Sequence, residues 1–128
     1  MPDTEKITIN LSAVDLGKID LLVQEGLYSN RTDFTRTAIR SQLEKHTLEI
    51  QQSVTRHSSV VGALIYDKAD FEKRLAKGER LNLTVVGMLR LADDISPQLA
   101  RQVVESIQVR GVFHASQAVK DALAERIK

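Results

Sequence analysis

The sequence predicts an α+β protein of two modules, and two observations carry that prediction. Residues 5–12, Glu-Lys-Ile-Thr-Ile-Asn-Leu-Ser, alternate strictly between polar and apolar side chains and then give way to helical spacing. Beyond Ser58, a strand-like pattern with a glycine at a fixed place occurs three times, each followed by a helix-like stretch. The expected organisation is a first module over residues 1–45, a helical extension or linker over 46–58, and a small αβ module of three strand-helix repeats over 59–128.

The opening strand is a problem by itself. Ile7, Ile9 and Leu11 share one face and Lys6, Thr8 and Asn10 the other. A lone strand followed by helices has no neighbour in its own chain, and unpaired backbone groups beside an apolar surface are costly. The cheapest partner is a second copy of the same strand, which predicts a homodimer.

Ser12 followed by Asp15 marks a helix start, and Leu16, Ile19, Leu22 and Val23 fall on one side of a helix spanning about Ala13 to Glu25, with Gly26 as its stop. Asn30 followed by Asp33 repeats the capping pattern for a second helix, whose stripe is Phe34, Ala38, Ile39 and Leu43. The stripe continues through His46, Ile50, Val54 and His57 without Gly or Pro, so this helix is expected to run to about Thr55.

In the second module the strands read Val60 to Tyr66, Leu83 to Leu91 and Ile107 to Ala115. Their glycines, Gly62, Gly87 and Gly111, are 25 and 24 residues apart. Leu75, Leu99 and Leu123 in the following stretches are spaced 24 and 24, and Ser96-Pro97 is a well-formed helix start. A period in the twenties with one strand and one helix per unit predicts a short, solenoid-like stack; an ordinary three-stranded α+β domain with accidental periodicity is the alternative. Glycine on the inward face would permit close approach of backbone, or mark a bulge.

Composition narrows the function classes. The net charge is +1, with seven Lys/Arg against eight Asp/Glu up to Ser58 and eleven against nine after it, so a nucleic-acid partner must be recognised by charge placement. Aromatic residues make up 4%, which disfavours a stacking platform for single strands. The chain has no cysteine, hence no disulfide, thiolate chemistry or cysteine-based zinc site. No apolar run is long enough to cross a bilayer and the start is not a secretory signal, so the expected location is the cytoplasm, at the nucleoid, without membrane contact.

Strand, helix, glycine-containing turn and helix within about 45 residues resemble the ribbon-helix-helix superfamily, the group of Arc, MetJ and CopG. Residues 6–12 and 26–34 are the most specific pieces, and the second half resembles no family. The resemblance implies that two strands pair antiparallel into a ribbon lying in the major groove of double-stranded DNA. It places Lys6, Thr8 and Asn10 against the bases and the start of the second helix, Asn30, Arg31 and Thr32 with the neighbouring Ser29, against a phosphate. The side chains suit this: Lys6 can donate to guanine, Asn10 can pair bidentately with adenine, and Thr8 can touch a thymine methyl. Asp3, Glu5 and Asp33 make the surroundings less basic than such a site usually is.

The expected function is a dimeric, sequence-specific transcriptional regulator acting as a repressor, with the C-terminal repeats mediating higher-order association. The alternatives are an antitoxin with an autoregulatory DNA-binding domain and a ligand-sensing regulator. Plain readings stand beside the specific ones: outward polar residues on a strand are ordinarily solvated, and the Asn30–Asp33 pair is a helix cap whether or not phosphate binds. His46 and His57 lie on one face of the expected long helix and read as buried or interfacial histidines rather than metal ligands. His114 and Asp93-Asp94 form no acid/base or nucleophile constellation, so no catalytic residue, cofactor or metal is expected.

Overall fold

The computed structural model describes residues 4–128. The chain divides into two compact units, one of residues 6–52 and the other of Ser53–Lys128 with Thr4 and Glu5.

The first unit holds α1 (Ala13–Gln24), α2 (Arg31–Lys45) and the start of α3 (Thr47–Arg56). Ser12 caps α1, its hydroxyl accepting the Asp15 amide at 3.1 Å. At the other end Gly26 takes φ +84°, the Leu27 amide reaches back to the Leu22 carbonyl and the Gly26 amide to Val23. That pair of bonds closes a helix with a left-handed residue, which glycine adopts at no steric cost.

The second helix is shorter than its apolar stripe predicts. His46 takes φ −108° and ψ 19°, its amide bonds to the Leu43 carbonyl, and the Thr47 hydroxyl donates to the Glu44 carbonyl at 2.7 Å. Such local side-chain bonds compete with the helical ladder, and a β-branched residue gains little from staying in it. The helix therefore breaks after Lys45 and resumes at Thr47, so His46 and His57 do not ride on one continuous helix.

The second unit is a three-stranded parallel sheet, β1 (Val60–Tyr66), β2 (Leu81–Leu91) and β3 (Val104–His114) in that spatial order, with α4 (Lys68–Ala76), α5 (Pro97–Val103) and α6 (Gln117–Ala122) interleaved in the chain. Asp67, Ser96 and Ser116 cap the three helices through their side chains. Val85, Leu89 and Leu91 of β2 and Ile107 of β3 pack with Phe71, Leu99, Ala100, Val103, Val119 and Leu123 into one apolar core. At full burial each of the larger side chains is worth about 1.5–3 kcal/mol.

Gly62, Gly87 and Gly111 are direct register partners across the sheet. They are exposed rather than inward, and each has positive φ, +139°, +135° and +126°. The leucine spacing has a different origin. Leu99 lies three residues after its cap and Leu123 seven after its own, while Leu75 is 41% exposed and Phe71 fills the core in its place. The equal leucine spacing is a coincidence of loop lengths. Ser96 follows Gly87 by nine residues where Asp67 and Ser116 follow their glycines by five, and the excess is recovered because α5 runs straight into β3. That abrupt junction is held by Arg126, whose guanidinium donates to the Arg101 and Val104 carbonyls left free by the helix end.

Candidate nucleic-acid interface

In the single chain, residues 4–12 form no regular element. Lys6, Thr8 and Asn10 are exposed, but so are their apolar neighbours: Ile7, Ile9 and Leu11 are 74%, 59% and 47% exposed. Val14, Leu21, Leu27, Ile39 and Leu43 are exposed as well, and Ile19 is the buried residue among the described residues of this unit. Helices of this length derive most of their stability from packing an apolar face, and here Leu16, Ile19, Leu22 and Val23 are buried or half-buried while Val14, Leu21, Ile39 and Leu43 stay exposed.

The turn between α1 and α2 is, by contrast, firmly built. Tyr28 and Phe34 meet edge to face with centroids 5.0 Å apart, which fixes the entry of the chain into α2. The Asn30 side chain accepts the Asp33 amide at 2.7 Å, and the Asp33 carboxylate accepts the Ser29 amide at 2.9 Å. The backbone amides of Arg31 and Thr32 belong to the first helical turn, where no carbonyl of the helix can reach them.

The Arg31 side chain points away from this opening. Its Nε and one terminal nitrogen donate to the two Asp20 carboxylate oxygens at 2.7 and 2.8 Å, a bidentate bridge from α2 back to α1. The hydrogen bond from Arg31 holds the Asp20 carboxyl below the usual carboxylate range against an opposing effect of desolvation, and the same bond raises Arg31.

A polar cleft at the start of α2 is lined by Ser29, Asn30, Thr32, Asp33, Arg36 and Arg40. Three of the four residues that the sequence placed against phosphate, Ser29, Asn30 and Thr32, line it together, while Arg31 does not line it and keeps its guanidinium on Asp20. Arg36 and Arg40 were missed. Thr32, Arg36 and Arg40 recur at four-residue intervals and hence on one helix face, which was the available signal.

Three of the other candidate residues have structural partners. His46 Nδ1 lies 3.8 Å from Glu49, His57 Nδ1 lies 3.0 Å from the Ser53 carbonyl oxygen, and Asp94 accepts the Lys68 amide at 3.1 Å in the turn before Ser96. Among the described residues there is no group of three or more His, Cys, Asp or Glu placed to hold a metal, and no helix is long and apolar enough to cross a membrane.

An exposed alternating segment, two helices joined by a rigid glycine-closed turn, and an amide-lined helix start are together the parts of a ribbon-helix-helix module. Over residues 2–120 the chain matches the ribbon-helix-helix transcriptional regulator family, and it belongs to that family. The match runs through the parallel sheet, so the second half, which resembled no family by sequence reasoning, lies within the matched region. No curated protein and no solved structure matches the chain. The protein is accordingly a transcriptional regulator, of a kind that binds DNA and generally dimerises.

Proposed function

We propose that this regulator is a homodimeric repressor whose residues 5–12 pair antiparallel with those of a second copy and enter the major groove. The observation that carries this reading is the unpacked apolar surface of the first unit, with Ile7, Ile9 and Leu11 exposed on alternate residues beside Lys6, Thr8 and Asn10. Pairing removes the first set from water, at about 1.5–3 kcal/mol for each side chain fully buried, and leaves the second set on the outer face of the ribbon. Lys6, Thr8 and Asn10 from both chains then read a site with two-fold symmetry.

Position on the duplex comes from phosphate contacts at the cleft of α2. The open amides of Arg31 and Thr32 and the polar groups of Ser29 and Asn30 receive one phosphate, and Arg36 and Arg40 add charge one and two turns along the helix. Arg31 acts from behind, fixing α2 on α1 through Asp20. Repression follows from occlusion of a promoter. The second unit acts as a solenoid-like stack of three strand-helix units that associates with other copies, a reading supported by the glycine register and the open edge of its sheet.

Selection of bound duplexes from a random pool, followed by footprinting, tests the reading. The selected site is expected to be a two-fold repeat. The K6A/T8A/N10A variant should lose specific footprints while remaining a folded dimer, and a retained footprint would refute the assignment of base contacts.

A further inference from the structure

Gly87 and Gly111 have a reason to be glycine that Gly62 lacks within its own chain. A methyl group on Gly87 would overlap the Gly62 carbonyl, lying 3.0 Å from its carbon and closer still to its oxygen. One on Gly111 would overlap the Gly87 carbonyl in the same way. Each strand thus presents its glycine carbonyl to the next, and the next makes room by having no side chain. Gly62 has the same conformation, φ +139°, yet a methyl group on it would meet nothing among the described residues.

The complement of Gly62 is therefore a strand that presents a glycine carbonyl across the β1 edge, and β3 is such a strand. By the repeating register, the Gly111 carbonyl faces outward from β3 as those of Gly62 and Gly87 face their neighbours. The outer edge of β3 is occupied near its start, where Ile127 bridges to Ile107 and the Lys128 amide bonds to the Ile107 carbonyl. That leaves the stretch from Val109 onward. Carried one strand further, the register sets Val60 against Val109, Gly62 against Gly111 and Leu64 against Phe113, so β1 is matched to the part of β3 that the C-terminal segment does not cover.

The side chains of β1 agree. Val61 and Ile65 are 63% and 60% exposed, and Val60 is 47% exposed while its register partner Val85 is 1%. A β1 edge of this composition, with no lysine or proline within the strand, lacks the features that normally keep sheet edges apart.

We propose that the β1 edge of one copy pairs in parallel with the β3 edge of another, continuing the glycine register from Gly111 into Gly62. This deepens the association reading above and rests on it. The contact is head to tail, so each copy keeps one unused edge, and it links successive dimers into open chains unless the rotation between copies closes a ring.

Because the chain has no cysteine, the V61C/R110C double variant reports this pairing directly. Val61 and Arg110 are both register partners of Val86, so within one chain they lie two strand spacings apart, about 9.6 Å, beyond disulfide reach. Between copies paired as proposed they are direct neighbours. Oxidation of the full chain should give a ladder of covalent multimers on non-reducing gels, and V61K/I65K, with unchanged circular dichroism, should sediment as a dimer where the wild type is larger. Disulfides formed by V61C alone would mean β1 pairing with β1 and overturn the proposal. Larger species without the ladder, or surviving V61K/I65K, would also overturn it while leaving association intact. A wild type that stops at dimers would remove the association reading and this inference together.

Discussion

Replacing Gly87 by alanine and comparing it with the same change at Gly62 separates two costs that coincide at the central strand. Both positions have φ near +135°, where a side chain costs about 1–3 kcal/mol of backbone strain, and that term should be shared. Only at Gly87 does the new methyl group also meet the neighbouring backbone, at Gly62. The two strands can relieve the overlap only by separating, which sacrifices ladder hydrogen bonds on the β1 side; losing two at about 1 kcal/mol each adds about 2 kcal/mol. For a unit of this size, 1 kcal/mol moves the midpoint by about 4–8 °C, so G87A should melt about 8–16 °C below G62A. Thermal unfolding followed by circular dichroism, at low protein concentration so that association does not contribute, measures the gap. Equal midpoints would mean that the close approach of the strands carries no energy, and that the glycine register is a matter of backbone conformation alone.

The Asp20–Arg31 bridge yields two further expectations. D20N should free the Arg31 guanidinium for the phosphate beside its own amide, so that the slope of log affinity against log salt steepens by about one contact, measured by fluorescence anisotropy on non-specific duplex; an unchanged slope would refute the rear-anchor role of Arg31. Because the folded-state pKa of Asp20 is lowered, the bridge stabilises the wild type above the ordinary carboxylate range and loses that contribution as pH falls through the lowered value. The stability difference between wild type and D20N should hold from neutral pH down to about pH 5 and close in stronger acid, with urea titrations across pH as the check.

Local signals were readable wherever one residue type performs one backbone task. Ser12, Asn30 and Ser96 cap the helices expected of them, Gly26 ends α1, and the three glycines align across the sheet. What the sequence concealed depends on distance through space or on competition. Arg31 and Asp20 are eleven residues apart on two helices, and only the turn built on Tyr28 and Phe34 makes them neighbours. The break at His46 comes from a hydroxyl bond that no periodicity registers. The repeating leucines misled for the converse reason, since equal spacing survived although the loops and the burial behind it differ from unit to unit. The parity of the glycines, which matches the core residues, predicts an inward face, whereas all three are exposed and have positive φ.

Both units are incomplete alone, and they are incomplete in different ways. The first exposes one surface whose apolar residues alternate about a single strand, and that surface can be satisfied by an identical one across a two-fold axis. The second exposes two unlike edges: β1 with a glycine that accommodates no carbonyl among the described residues, and β3 with a glycine whose carbonyl the repeating register directs outward. Self-complementarity closes at two copies, whereas complementarity between unlike edges has no internal limit. On the proposed reading, a chain carrying both separates the question of which DNA is read, set by one closed pair, from the question of how many pairs assemble there. The second answer would depend on concentration and on the match between the β1 edge at Gly62 and the β3 edge at Gly111.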